Sequence, residues 1–415
     1  MSKRDQKLGT SILADEDVNR RIAVEEPWDV AVAHFSEIAI KGGNRRRFIK
    51  RLAGNIQRAL DALEKGAAAQ VEAHHDRIMI RPGAVPMDAV LQRASQVFGV
   101  SHVAPLRVLP LELDCMRKEA IRIYRAFGAP GASFAVRVRR SNKRYPMTSV
   151  EVERDVGRVV VEATGAPVNL THPDIVISFH IQQDDLYLAG PYIDGPHGLP
   201  QGITGHVLAL FSGGIDSPPA AWLMMRRGCS VDFIHFHVYP DPEQIHESKI
   251  IPLVRKLTAP YGTRARLFLI PYRCFEAGLL SAHIPHDMEL IMFRRFMAHV
   301  AADVAREKGC AALVTGDNIA QVASQTMANL TAFDEAAGMT VFRPLLTYNK
   351  HEIIWLAREI ESYEASILPY KDCCSLMARH PQTNPKLKKI QFTEGNLPMA
   401  DMRTQALEEC AVIHI

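Results

Sequence analysis

Two short stretches carry residue types able to do chemistry: Ser212-Gly213-Gly214-Ile215-Asp216-Ser217, and the pair Cys373-Cys374 far downstream. The apolar run 207–211 that leads into the first reads as a strand buried on both faces. Two glycines then allow a sharp turn, because they reach backbone angles a Cβ forbids. Ser217 is expected as an N-cap and Pro218 as the first helical residue. Loop amides and a helix N-terminus aimed at one spot suit an anion. A Walker A loop would need a lysine that is absent here, so this is a different phosphate loop or a turn that binds nothing. Asp216 is expected to hold a cation or orient phosphates, with helix capping as the alternative. Cys373 is the candidate nucleophile, since a thiolate attacks well where its surroundings stabilise it. Cys374 is the second choice, and a pair of inert thiols is the competing reading.

The whole chain narrows the classes. Its 415 residues predict two to four domains, and 47% hydrophobic with 23% charged residues is ordinary for a globular protein. A net charge of +3 makes any nucleic-acid surface local. No apolar run is long enough for a membrane span, and the polar N-terminus lacks a signal core. Seven cysteines without framework spacing suit a reducing cytoplasm.

Positioning elements follow from periodicity. Residues 1–26 read as a tail. A strand over 28–35, a helix over 45–65 and a strand over 77–81 suggest a small α+β domain, 27–82. Helices over 87–98, 113–126 and 149–163 alternate with strands over 101–109, 133–140, 175–182 and 186–188, suggesting a second, 83–195. In 133–140, Phe134, Val136 and Val138 face one way and Arg137 and Arg139 the other. With Arg140, Lys143 and Arg144 they form a candidate phosphate-backbone patch, against the alternative of a solvated strand face. Residues 190–205 read as a linker into a third domain, 196–415. There, strands over 207–211, 231–238, 266–270 and 311–315 alternate with helices over 218–227, 244–257, 288–308 and 321–330. That is an α/β pattern: an open, mostly parallel sheet, which binds ligands at the carboxyl ends of its strands. The loops after Phe211, His237 and Thr315 therefore converge. His235 and His237 on one strand lack a third ligand nearby, so no metal site is expected.

Several collinear segments resemble the tRNA 4-thiouridine synthetase family, the ThiI-type tRNA sulfurtransferases. Ser36-Glu37-Ile38-Ala39-Ile40-Lys41-Gly42-Gly43-Asn44-Arg45 resembles its opening element, and Arg139 to Ser149 its THUMP loop. Leu210 to Ala220 resembles its PP-loop, the loop of ATP pyrophosphatases. Leu313 to Thr326 and Ile367 to Cys374 resemble two later blocks. The resemblance implies a ferredoxin-like domain, an RNA-binding THUMP domain and a PP-loop ATP pyrophosphatase domain.

It also implies the reaction: ATP with Mg²⁺ adenylates uridine 8 of tRNA, and persulfide sulfur then displaces AMP. Ser212, Gly213, Gly214 and Ser217 would hold phosphates, and backbone at Leu210-Phe211 and His235-Phe236 would embrace adenosine. Arg294 maps onto a basic ATP contact, with Arg295 as the alternative; Gly316 and Gln325 map onto further nucleotide contacts. Cys373 aligns with the family's active cysteine in this domain. The chain ends at Ile415 without a rhodanese segment, so the resemblance implies a separate donor, a cysteine desulfurase or a small rhodanese, and weakens any link to thiamine synthesis. Asp317-Asn318 departs from the family's usual Glu-Ser or Glu-Ala. Oligomeric state is open, a homodimer included. A PP-loop ligase with another acceptor and a non-catalytic RNA-binding module are the competing functions.

Overall fold

Along the strand Ile175–Gln182 every second residue is fully buried and its neighbours half-exposed, as in a sheet covered on one face only. In the computed structural model, which describes residues 27–63, 69–182, 185–239, 242–373 and 382–415, this strand belongs to the first of two compact units, dividing at His197 and Gly198. The expected tail, the end of the 45–65 helix and Cys374 lie outside the described residues.

The first unit is one continuous sheet. Its strands are β1 (Val30–His34), β2 (Gln70–Ala73), β3 (Ile78–Arg81), β4 (His102–Leu109), β5 (Phe134–Arg140), β6 (Ile175–Gln182) and β7 (Asp185–Ala189), ordered β2-β3-β1-β4-β7-β6-β5. All pairs are antiparallel except β5 with β6. Helices α1 (Arg45–Asp61) and α2 (Met87–Ser95) bury Leu52, Ile56 and Leu91 with Ala31, Ala33 and Ile80. Helices α3 (Leu113–Phe127) and α4 (Ser149–Thr164) bury Met116, Ile123, Val152 and Val156 with Phe134, Val136 and Phe179. Thr148 caps α4 in a reciprocal capping box with Glu151. The expected linker is partly ordered as a strand: β8 (Ile193–Asp194) pairs with β4.

The second unit has strands β9 (Gly205–Leu210), β10 (Cys229–His237), β11 (Arg266–Pro271), β12 (Ala312–Val314), β13 (Val341–Phe342) and β14 (Ala411–His414), ordered β13-β12-β9-β10-β11-β14. Five are parallel and only β14 is antiparallel. Helices α5 (Ser217–Arg226), α6 (Ile250–Thr258), α7 (Arg273–Ser281), α8 (Glu289–Glu307), α9 (Met327–Ala337), α10 (Lys350–Glu359), α11 (Tyr363–Ser366), α12 (Leu387–Glu394) and α13 (Met399–Glu408) complete the described part. Two expected helices are corrected. That over 244–257 starts only at Ile250, where the apolar spacing becomes regular, and that over 321–330 is a 3₁₀ turn at Ala323–Gln325 followed by α9. Thr326, whose side chain accepts from Asn329 N, sets the real start of α9. No helix among the described residues is long and apolar enough to cross a membrane.

Arg295 on α8 is only 2% exposed and ties the unit together. It donates to both Glu394 oxygens at 2.9 and 2.5 Å, to Glu335 at 2.5 Å and to the Ala332 carbonyl at 2.7 Å. Burial alone would raise the Glu394 carboxyl; hydrogen bonds from His299 and Arg295 outweigh it and hold it down at about 2. Its contribution is therefore complete above the unfolded value near 4.5 and is lost as pH falls toward about 2. Arg295→Met strands two carboxylates and is expected to lower unfolding stability by about 3 kcal/mol, measured by urea denaturation at neutral pH.

Candidate functional site

β9 delivers Phe211 into the turn Ser212-Gly213-Gly214. Gly213 has φ +77°, a conformation that favours glycine, and a Cβ there would sit 2.4 Å from Ile250 Cδ1, which would have to turn aside. The Ser217 hydroxyl accepts from the Gly213 amide at 3.3 Å, the Ser212 hydroxyl accepts from the Gly214 amide at 3.3 Å, and the two hydroxyls lie 3.5 Å apart. These long bonds satisfy the loop weakly, and an anion could replace them at little cost.

The expected cap is corrected. α5 begins at Ser217, so Ser217 is its first helical residue; Asp216 is at the N-cap but makes no side-chain cap bond. The Asp216 carboxylate instead takes Lys350 Nζ at 3.0 Å and Gln321 Nε2 at 3.3 Å. Lys350 opens α10, whose start is fixed by a capping box between Asn349 and Glu352. Asn318 ties this turn to the loop after β12 by donating to the carbonyls of Leu345, at 3.0 Å, and Tyr348. Gly316 in that loop lies so close to α5 that a Cβ would meet the Asp216 carbonyl carbon at 3.0 Å and Ser217 N at 3.1 Å. Two loops from separate strands thus meet at Asp216.

A third joins them from β10. His235 is buried, and burial, its largest influence, holds the imidazole down at about 4. Nδ1 lies 2.7 Å from the Phe211 carbonyl and Nε2 2.6 Å from the Tyr370 hydroxyl. A carbonyl only accepts, so the neutral ring donates from Nδ1 and Nε2 accepts from Tyr370. Both nitrogens are engaged. Three residues on from that tyrosine, buried Cys373 donates its S–H to the Phe236 carbonyl at 3.2 Å. Lys249 adds a second clamp: Nζ donates to the carbonyls of Ser366 and Leu368 at 2.5 and 2.8 Å, while its stem passes beside Gly213. The phosphate-type loop and the thiol segment therefore share β10 and Lys249.

Asp317 organises the remaining side. Burial would raise its carboxyl, but Arg294, the Thr315 hydroxyl and Arg343 hold it below the usual range. Arg294 donates to both its oxygens at 2.9 and 3.0 Å, and Gln325 to one at 3.4 Å. Arg294 Nε and Gln325 Oε1 are buried without a partner, which leaves polar capacity for a ligand. Arg295, the alternative to Arg294, is committed to the core.

In the first unit Arg137 and Arg139 lie on the sheet face opposite the helices, as expected, with Arg139 beside His180 across β6. Arg137 donates to the Leu170 carbonyl at 2.5 Å, and Arg140 to the carbonyls of Tyr145 and Met147 at 2.8 Å each, which braces the loop. Arg139, Lys143 and Arg144 are exposed.

Residues 202–399 match the family model "Thiamine biosynthesis protein (ThiI)", residues 30–104 a ThiI ferredoxin-like domain and residues 112–189 a THUMP domain. A probable tRNA sulfurtransferase of Moorella thermoacetica is 34% identical over 92% of this chain and 97% of its own. One from Thermus thermophilus is 37% identical over 91% and 92%. The chain belongs to the tRNA sulfurtransferase family. A crystal structure of a 4-thiouridine synthetase in complex with RNA, with bound ATP, superposes with a TM-score of 0.81 at 26% identity, covering 94% of this chain and all of that one. For this family member, a PP-loop pyrophosphatase fold preceded by ferredoxin-like and THUMP folds is the observed architecture. Lys350, Gln321, Lys249, Tyr370 and Arg343 were not singled out from sequence. Gln321 and Tyr370 lay inside recognised blocks; the others come from segments whose proximity to Asp216, Gly213 or Asp317 exists only in three dimensions.

Proposed function

We propose that this enzyme thiolates uridine 8 of tRNA in two steps within the second unit. ATP first adenylates O4 of the base, releasing pyrophosphate; the outer sulfur of a persulfide then attacks C4 and displaces AMP, and a second thiol cleaves the remaining S–S bond, leaving 4-thiouridine and a disulfide. The observation that carries the reading is the seating of Cys373 on the Phe236 carbonyl, one strand from the glycine loop. Ser212, Ser217 and the loop amides suit a triphosphate, with Lys350 supplying the cation the loop itself lacks. Leu210, Phe211, His235 and Phe236 would border the adenosine, although the Phe211 and Phe236 carbonyls already accept from His235 and Cys373. Arg294, Gly316 and Gln325 would complete the nucleotide side. Mg²⁺ takes six oxygens, most from phosphates and water, and Asp216 is the carboxylate at the loop that would join them. When bound, it would neutralise charge on the phosphates.

The 4-thiouridine synthetase that superposes on this chain was solved with RNA bound. That complex, the THUMP match and the exposed Arg139, Lys143 and Arg144 support tRNA as the substrate here. Replacing Lys143 and Arg144 by alanine should weaken tRNA binding and reduce the slope of log affinity against log salt by about 1–2, measured by filter binding across a salt series. The reading itself is tested with ATP, Mg²⁺, a cysteine desulfurase with cysteine as persulfide donor, a thiol reductant and unmodified tRNA. Nucleoside analysis should show 4-thiouridine, with pyrophosphate released only when tRNA is present. A cysteine desulfurase or separate rhodanese is the proposed physiological donor.

A further inference from the structure

A second thiol site lies at the other end of the same sheet. His206 is the second residue of β9, Asp232 the fourth of β10 and Arg266 the first of β11, while Cys310 follows the turn at Lys308 and Gly309 and lies two residues before β12. Strand register brings them together: Ser230 pairs with His206, and Asp232 sits between Leu208 of β9 and, by continuation, Arg266 of β11. An imidazole nitrogen of His206, a carboxylate oxygen of Asp232 and the sulfur of Cys310 all lie within 4.8 Å of one another. All four lie toward the amino-terminal edge of the sheet, the opposite edge from Ser212 and Cys373.

The contacts distinguish what this cluster can do. A His/Asp/Cys trio is a conceivable metal site. Asp232, however, is saturated: Arg266 donates its backbone amide at 2.8 Å to one oxygen, and Nε at 2.8 Å and a terminal nitrogen at 2.6 Å to the other, where His206 Nε2 also lies at 3.0 Å. A cation would have to share an oxygen with a guanidinium. A proton relay needs no such displacement. Asp232 is buried and locked by Arg266, so it fixes the His206 ring; the hydrogen bond that His206 donates to Asp232, and then that to Cys310, hold the imidazole charged up to about 9. Cys310, itself 5% exposed, therefore lies beside an imidazolium whose position the Asp232–Arg266 pair fixes. The charged residues just before it, Glu307 and Lys308, pair with each other at 2.6 Å. His206 is 29% exposed, giving the relay a solvent-facing member.

We propose that Cys310, His206 and Asp232 form a Cys–His–Asp relay in which Cys310 is a nucleophilic thiol that small soft electrophiles and hydroperoxides modify. The thiol proton leaves to solvent, and His206, already charged, stands beside the sulfur as the proton donor. With a hydroperoxide the sulfur attacks one oxygen, an S–O bond forms and the O–O bond breaks. The sulfur loses two electrons to the peroxide, and the leaving hydroxide or alkoxide takes the proton from His206, giving a sulfenic acid and water or alcohol. Other described thiols suit this less well: burial and then Glu119 push Cys115 up, burial and then Glu409 push Cys274 up to about 12, and burial pushes Cys410 up to about 11.

The test uses the whole protein with brief, limiting iodoacetamide between about pH 5 and about pH 9, followed by peptide mass spectrometry. Cys310 should be labelled at least about tenfold faster than Cys115 at about pH 6, with a shallow pH profile. His206→Gln, which leaves the Asp232–Arg266 pair in place, should slow Cys310 labelling about tenfold without altering Cys115. Hydrogen peroxide should yield a dimedone-trapped sulfenic acid at Cys310 in the wild type and none in Cys310→Ser. Three results would overturn the proposal: no labelling of Cys310 in the native protein, a rate that rises tenfold per pH unit and is unaffected by His206→Gln, or stoichiometric zinc in the purified protein that Cys310→Ser loses. The wild-type pH profile decides the matter even if a variant fails to fold.

Discussion

Cys373→Ser is expected to abolish 4-thiouridine formation, by on the order of 10³-fold or more, while tRNA-dependent pyrophosphate release persists. The asymmetry follows from the geometry. The Asp216 carboxylate is held by Lys350 and Gln321, whereas the Cys373 S–H donates to the Phe236 carbonyl, a contact that serine can make almost unchanged. Serine therefore preserves the fold and the nucleotide side but replaces a soft nucleophile that can carry sulfur by one that cannot. Quantifying pyrophosphate and thiolated nucleoside in the same reaction separates the two steps. Equal loss of both would mean that Cys373 supports adenylation, and thiolation at the wild-type rate would remove it from sulfur transfer altogether.

The same residues show what could be read from the chain. Strand 207–211, the glycine turn and the α/β alternation were legible because each rests on local rules: an apolar run, glycine conformational freedom, and period. Gly213 obeys one of them directly, with φ +77°. The site's charges were not legible in that way. Asp216 was expected to meet a cation or cap a helix, and its partner proved to be Lys350, reached through the Asn318 and Asn349 turns rather than through sequence. Arg294 was expected on the nucleotide, yet its fixed partner is Asp317, and its orphaned Nε is what remains for a ligand. Neighbouring Arg294 and Arg295 look alike in sequence. One helical step separates a crevice from a core, and only packing decides which faces which.

Removing the cation at the loop should produce the opposite phenotype to Cys373→Ser. Lys350→Met is expected to lower tRNA-dependent pyrophosphate release by about 10²-fold, and thiolation with it, because in the proposed reaction adenylation precedes sulfur transfer. A Walker A loop carries its lysine within the loop; here the loop between Gly213 and Ser217 has none, and Lys350 arrives from another helix to lie 3.0 Å from Asp216. With a triphosphate present, its ammonium would be the cation at the mouth of the loop, positioned by Asp216. Asp216→Asn should then act partly through Lys350. Its effect added to that of Lys350→Met should fall short of the sum, as expected of two residues serving one function. Activity of a supplied adenylated intermediate would separate a defect in adenylation from one in sulfur transfer. Independent, additive effects in the double variant would show that Lys350 acts on something other than the charge Asp216 holds.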